Sequence, residues 1–145
     1  MKEVKIVKPQ KEHFLEILSL LRQLWKDKVL NERRLSEVFE SGLSSSFQEF
    51  RIAIHNDRIV GFASLTIKNS LWHGGYLGHI DELVVDERFR GEGVGTRLLD
   101  EMIRVSRDRS CKKIELDSAF HRKEAHRFYE SKGFENRAFV FSKDL

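Results

Sequence analysis

Apolar and polar residues repeat with two different periods along the chain, and the periods mark the elements. Val4-Lys5-Ile6-Val7 alternates weakly and reads as a first strand, broken by Pro9. Phe14, Ile17, Leu18, Leu21, Leu24 and Trp25 fall at helical spacing and predict an amphipathic helix over 11–25. A second helix is expected over 31–41, with Asn31 as its N-cap and Leu35, Val38 and Phe39 as its buried face. Gly42 and the Ser44-Ser45-Ser46 run should end it. Phe50, Ile52 and Ile54 then alternate with polar residues, 55–58 is a turn, and 59–67 returns as the partner strand. Segment 70–76, with Gly74-Gly75, reads as a loop. A fourth strand over 78–86 ends in Leu83-Val84-Val85, an apolar run suited to a strand covered on both sides. After a glycine-rich stretch, Val94, Leu98, Met102 and Val105 share one face of a helix ending near Ser110. A fifth strand over 113–117 and a short helix over 122–132 follow, the latter with Ala125, Phe128 and Tyr129 on one side and Gly133 as its stop. Phe139 and Phe141 mark a last strand. The order β-α-α-β-β-β-α-β-α-β predicts a mixed α/β sheet in one domain over 1–145.

Composition narrows the class. A chain of 145 residues suits one domain and buries about 70% of its unfolded surface without disulfides or metal. The 26 Lys and Arg against 23 Asp and Glu leave a net charge of +3, with both signs interspersed. That pattern argues against nucleic acid, whose binders concentrate basic residues on one face. No apolar run approaches the roughly 18 residues of a membrane span. The start Met1-Lys2-Glu3-Val4-Lys5 lacks the apolar stretch of a signal peptide. A lone Cys111 fits a reducing compartment, so the expectation is a soluble, cytoplasmic protein with no membrane partner. The histidine spacing offers no metal site.

The candidate chemistry starts at Leu83-Val84-Val85-Asp86-Glu87-Arg88-Phe89-Arg90-Gly91-Glu92-Gly93-Val94-Gly95-Thr96, a buried strand, a glycine-rich turn and a helix start. The first N–H groups of a helix lack intrahelical partners and carry about half a positive charge, which suits a phosphate or pyrophosphate. Glycines let an anion approach without a Cβ in the way. A P-loop is excluded because no lysine follows these glycines. A dinucleotide fold needs a second βαβ half that the chain lacks. A plain strand-to-helix turn stays open on the glycines alone.

A second segment separates these readings. Arg90-x-x-Gly93-x-Gly95 resembles the acyl-CoA pyrophosphate loop of the GNAT superfamily of N-acetyltransferases. Ala125-His126-Arg127-Phe128-Tyr129, followed by Gly133-Phe134, is similar to that superfamily's Ala-x-x-(Phe/Leu)-Tyr-x-x-x-Gly-Phe helix. The resemblance implies acetyl-CoA as cosubstrate and a central sheet whose fourth and fifth strands splay apart. It implies that main chain of Leu83, Val84 and Val85 pairs with the pantetheine arm. It also implies that N–H groups of Arg90, Gly91, Glu92, Gly93, Val94, Gly95 and Thr96 hold the pyrophosphate. Arg122 stands where many members carry an Asn that touches the cofactor.

Amide formation from a thioester needs a neutral amine, yet an alkyl amine with a pKa near 10.4 arrives protonated. A base, a carbonyl donor and an acid for the leaving thiolate are therefore required. By family analogy, the carbonyl donor is the N–H of Val84 or Val85. Tyr129 matches the family's general-acid tyrosine, against the alternative of a core aromatic beside Ala125. On a regular strand His79 and Asp81 share one face, and Ile80 and Glu82 the other. His79 is the expected base, since an imidazole near 6.5 accepts protons at neutral pH, with Asp81 orienting it or binding the ammonium. A structural histidine is the alternative, and Glu82 is expected to point away. Cys111 reads as an inert thiol.

Within the superfamily the chain looks most like the aminoalkylphosphonate N-acetyltransferases. The residues are Glu82-Leu83-Val84-Val85, Ala125 to Tyr129, and the ending Phe139 to Leu145. His79 replaces the acid expected at its position. The expected activity is acetyl transfer from acetyl-CoA to a small primary amine, with an aminoalkylphosphonate as candidate and a homodimer left open. The alternatives are a peptide N-acetyltransferase and a non-catalytic acyl-CoA-binding module.

Overall fold

A computed structural model gives the structure of the chain and describes residues 3–145. Met1 and Lys2, part of the start read as lacking a signal peptide, lie outside the described residues. The first strand is β1 (Lys5–Val7). One 3-10 turn at Lys11–His13, capped reciprocally by Gln10 and His13, leads into α1 (Phe14–Leu24). In α2 (Glu32–Ser44), the Arg34 amide donates to Asn31 Oδ1 at 3.1 Å, which fixes the expected start. The expected stop at Gly42 is a correction. A Cβ there would lie 2.4 Å from the Phe50 ring, so this glycine lets the helix lie against the sheet and the helix runs on. Val38 is exposed, whereas Phe39 is buried and stacks on Phe50 at 5.2 Å.

A long meander follows: β2 (Gln48–His55), β3 (Arg58–Ser70) and β4 (Gly75–Val85). Asn56 and Asp57, both at positive φ, make the first tight turn. Only 71–74 separate β3 from β4, because Ser70 pairs with Gly75 where a longer loop was expected. A 3-10 turn at Glu87–Phe89 precedes α3 (Val94–Asp108), which crosses to β5 (Cys111–Leu116). The last helix is α4 (Lys123–Ser131). The sheet runs β1-β2-β3-β4-β5, antiparallel except for the parallel β4–β5 pair that α3 connects.

Helices cover both faces. Phe14, Ile17, Leu18 and Leu21 of α1 and Phe39 of α2 pack on Ile52, Phe62 and Val84. On the other face Val94, Leu98, Leu99, Met102 and Val105 of α3 pack on Ala63, Leu65 and Ile80, and Tyr129 of α4 joins this core. Gly61 sets how closely α3 settles. A Cβ there would meet Leu98 Cδ1 at 2.8 Å and Val94 Cγ1 at 3.2 Å.

Two features of the sheet bear on the site. β4 and β5 pair only from Tyr76–Cys111 to Ile80–Leu116, so 81–85 of β4 run on past the end of β5. The expected parting of these strands is thus present. The expected last strand is absent: 135–145 form no regular structure and are exposed throughout. Phe139 and Phe141 alternate as a strand does, yet a strand is stable only against a partner, and this segment pairs with none in the sheet.

Gly61→Val should lower unfolding free energy in urea by about 1–3 kcal/mol, the usual cost of overpacking a filled core. Unchanged stability would show that α3 does not rest on this glycine.

Candidate active site

One irregularity in β4 determines which side chains face the cleft. Ser64 pairs with Glu82, but Leu65 pairs with Ile80, so Asp81 is an extra residue on β4. A bulge of this kind breaks the strict two-residue alternation. Thr66 pairs with His79 and Ser64 with Glu82, and the two β3 residues share a face. Glu82 therefore comes round to the His79 side, against the expectation that it points away. Ser64 Oγ donates to Glu82 Oε1 at 2.5 Å and accepts from the Glu82 amide at 2.9 Å. Asp81 also turns to this side, where Thr66 Oγ1 donates to its Oδ2.

The result is a group of acids around one imidazole. His79 Nδ1 lies 3.0 Å from Asp81 Oδ1, and Nε2 lies 3.5 Å from Asp117 Oδ1 just beyond β5. Hydrogen bonding to Asp81 is the main cause that raises the His79 pKa above 6.5. Burial opposes it, and Asp117 adds to it. Glu82 is raised above the ordinary carboxylate value, chiefly by burial, although the Ser64 hydroxyl opposes the shift. Asp81, Glu82 and Asp117 line a cleft of about 490 Å³, together with Trp25, Leu83 and Tyr129. His79 stands behind Asp81 and is not among the lining residues.

Tyr129 enters the cleft from a helix end built for the purpose. The Gly133 amide donates to Glu130 O and the Phe134 amide to Tyr129 O, both at 3.0 Å. Gly133 takes φ +90°, and the Phe134 ring lies 5.9 Å from the Tyr129 ring. These are the paired bonds, left-handed glycine and apolar contact of a Schellman stop. The Tyr-x-x-x-Gly-Phe spacing is thus a helix terminator that pins the tyrosine. Burial pushes the phenol pKa up, and the Arg122 charge partly offsets this. Arg122 lines the same cleft at the start of α4.

The glycine-rich turn lies where β4 ends. Gly91 and Gly93 take φ +77° and +87°, and Gly93 begins α3 without a side-chain cap. The first amides of α3 are thus left to an outside acceptor. A Cβ on Gly95 would touch Val85 at 3.6 Å and Phe128 at 3.7 Å, so turn, strand end and α4 converge there. Arg88 is held by Asp86, with Nη2 2.8 Å from Oδ2. The Arg88 guanidinium holds the Asp86 carboxyl below the usual range. Arg90 Nε donates to the Val85 carbonyl at 3.2 Å.

His79, Asp81, Tyr129, Leu83 and Arg122 are therefore in or beside one cleft, and 90–96 sit at the adjoining helix start. Val84 is buried against α1, so only its main chain is available there. Sequence reasoning missed Asp117 and Ser118 as cleft residues. The buried Ser118 Oγ has no hydrogen-bond partner among the described residues. The position of both after the carboxyl end of a strand parallel to β4 was the available signal.

Comparison with known proteins agrees with this geometry. Residues 14–134 match the family model described as Acetyltransferase (GNAT) family. An aminoalkylphosphonate N-acetyltransferase of Salmonella typhimurium is 31% identical over 89% of this chain and 83% of its own length. The crystal structure of glucosamine-6-phosphate N-acetyltransferase from Arabidopsis thaliana superposes with TM-score 0.84 at 26% identity, covering 99% of each chain. An aminoglycoside N-acetyltransferase solved in complex with CoA shares the fold at TM-score 0.85 and 20% identity, over 100% of this chain and 97% of its own. With a parted β4–β5 pair, an uncapped glycine turn and a pinned tyrosine at family spacing, the chain belongs to the GNAT family of acetyltransferases.

Proposed function

We propose that the domain, residues 1–145, transfers an acetyl group from acetyl-CoA to a small primary amine that also carries a phosphonate or phosphate. The observation that carries this reading is the charge layout of the cleft. Asp81, Glu82 and Asp117 line it around the end of β5, while Lys26, Lys28 and Arg122, with Asp27 between the lysines, stand among its other lining residues. An ammonium fits the first zone and a phosphorus oxyanion the second. The named relatives from Salmonella and Arabidopsis act on substrates that pair an amine with such a group. The lone Cys111 makes a cytoplasmic location part of the same reading.

Acetyl-CoA fits the adjoining surface. The uncapped amides of Val94, Gly95 and Thr96, with the preceding turn from Arg90 through Gly91, Glu92 and Gly93, would take the diphosphate. Arg90 would leave the Val85 carbonyl to join it. The edge of β4 at Leu83, Val84 and Val85 would pair with the pantetheine amides, placing the thioester beside the cleft. The amine nitrogen then attacks the acetyl carbonyl, the C–S bond breaks, and CoA leaves as a thiol. A main-chain N–H of Val84 or Val85 stabilises the oxyanion. Tyr129 donates its phenolic proton to the departing sulfur.

The proton of the amine goes to the His79, Asp81 and Glu82 group. Glu82 is placed best, because it lines the cleft and burial makes it more basic than a surface carboxylate. His79, the base expected from sequence, holds its own proton above pH 6.5. It becomes an acceptor only as pH climbs past its raised value.

A panel of amines assayed for thiol release tests the substrate class. Aminoalkylphosphonates or glucosamine 6-phosphate should outpace polyamines, aminoglycosides and peptide N-termini. A preference for peptides would make the domain a protein N-acetyltransferase. Acetyl-CoA binding without thiol release from any amine would make it a binding module.

Glu82→Gln should lower kcat at pH 7 by about 10²–10⁴, the usual span of general-base catalysis. His79→Ala should cost less at pH 7 and flatten the rise in rate on the alkaline side of pH 6.5, as the wild-type imidazole with its raised pKa loses its proton. A larger loss for His79→Ala than for Glu82→Gln across the pH range would return the base to His79.

Tyr129→Phe keeps the ring contact with Phe134, so the fold should survive. Its kcat should fall while the Kd for acetyl-CoA stays within about twofold, since an aromatic of equal size conserves the packing. Wild-type turnover would leave Tyr129 as a core residue alone.

A further inference from the structure

The cleft is lined by amines as well as by the acids that would deprotonate one. Lys26 and Lys28 are the primary amines among its lining residues. Its other cation, Arg122, is a guanidinium that stays protonated and makes a poor nucleophile. Both lysines sit on the turn after α1, which the Lys28 amide closes by donating to the Trp25 carbonyl at 3.1 Å. Their side chains are held differently. Lys26 Nζ lies 3.8 Å from Oε2 of Glu87, which is not among the lining residues. Lys28 Nζ lies 5.5 Å from the centre of the Trp25 ring and has no carboxylate partner among the described residues. Trp25 lines the cleft, so the ring keeps this nitrogen at the cleft wall. A ring face holds an ammonium without the fixed direction of a hydrogen bond, and the flexible four-carbon stem lets it swing.

We infer that Lys28 is itself an acetyl acceptor. When the cleft holds acetyl-CoA and no amine substrate, the domain transfers the acetyl group to its own Lys28 Nζ. This inference rests on the acetyl-transfer reading above and adds a regulation of the same cleft. Fixing the amine in the cleft that the thioester enters makes the attack unimolecular, which offsets the small neutral fraction of a lysine at pH 7. The Nζ lone pair attacks the acetyl carbonyl, the N–C bond forms and the C–S bond breaks. Of the three ammonium protons, one stays on the amide nitrogen. A second balances the proton that Tyr129 gives to the CoA thiol, and the third passes to solvent through Asp81 and Glu82. The modified side chain has lost its charge and its hold on the Trp25 face. It no longer serves the zone that suits a phosphorus oxyanion, so the acetylated domain takes its acceptor less well. A bound acceptor in turn occupies the cleft and shields Lys28, so modification rises as acceptor runs out.

Mass spectrometry of the full chain incubated with acetyl-CoA alone tests this. The chain should gain the mass of one acetyl group, on the peptide that contains Lys28, well ahead of the exposed Lys68 and Lys143. Its first-order rate should not change on dilution of the protein. Lys28→Arg should abolish the gain, and an aminoalkylphosphonate in excess should suppress it. Glu82→Gln should slow it by about 10²-fold or more, as for loss of a general base. The acetylated chain should show a raised KM for the aminoalkylphosphonate. Thiol release from a small amine with Lys28 left unmodified would overturn this inference and leave the acetyl-transfer reading standing. Labelling of Lys28 no faster than Lys68, or equally fast in Glu82→Gln and Tyr129→Phe, would show a chemical reaction outside the site and also overturn it. Absence of acetyl-CoA binding by calorimetry would overturn both.

Discussion

Where β4 pairs with β3 it carries one residue more than its partner, and the chemistry of the cleft depends on it. Were Asp81 a regular member of the ladder, Glu82 would lie on the opposite face of the sheet from His79. With the extra residue, Asp81 and Glu82 both turn toward the face of Ser64, Thr66 and His79. Bulges also increase local strand twist, and β4 leaves β5 from the same point, after the Ile80–Leu116 pair. Placement of acids and opening of a strand edge thus share a location. In the proposed reaction acceptor amine and thioester meet there, because one edge of β4 is free where its side chains are most acidic.

The electrostatics of the two sides of the sheet differ accordingly. The buried Arg51 is matched by Glu49 at 2.9 Å and Glu101 at 3.1 Å, which satisfies an otherwise costly charge. In the cleft Asp81 and Asp117 share one imidazole, and Glu82 beside them is met only by the Ser64 hydroxyl among the described residues. The His79 pKa is raised chiefly by its hydrogen bond to Asp81, against burial, and the Glu82 pKa chiefly by burial. A cationic substrate would relieve this excess of acids, and that is the physical link between the geometry and an amine acceptor.

Much of the fold was legible because its elements bury one clear face. The spacing of Phe14, Ile17, Leu18 and Leu21 marked α1, and that of Val94, Leu98, Met102 and Val105 marked α3. The Tyr129 to Phe134 spacing was legible twice over, as a family motif and as the terminator that holds the tyrosine in place. What failed was period counting across irregular backbone. Nothing in His79-Ile80-Asp81-Glu82 signals an extra residue, because a bulge is defined by its pairing with β3. Gly42 looked like a stop because its role depends on Phe50, a residue eight positions away. Phe139 and Phe141 show the same limit. Strand propensity is local, but the partner that realises it is not.

The central claim is that the uncapped start of α3 and the free edge of β4 together aim a thioester into the acidic cleft. A crystal structure of the chain with CoA tests it most directly. The diphosphate should lie on the amides of Val94, Gly95 and Thr96, with the pantetheine along Leu83 to Val85 and the sulfur near Tyr129. CoA in the larger groove of about 840 Å³ by β1, beside Arg97 and Arg104, would contradict it.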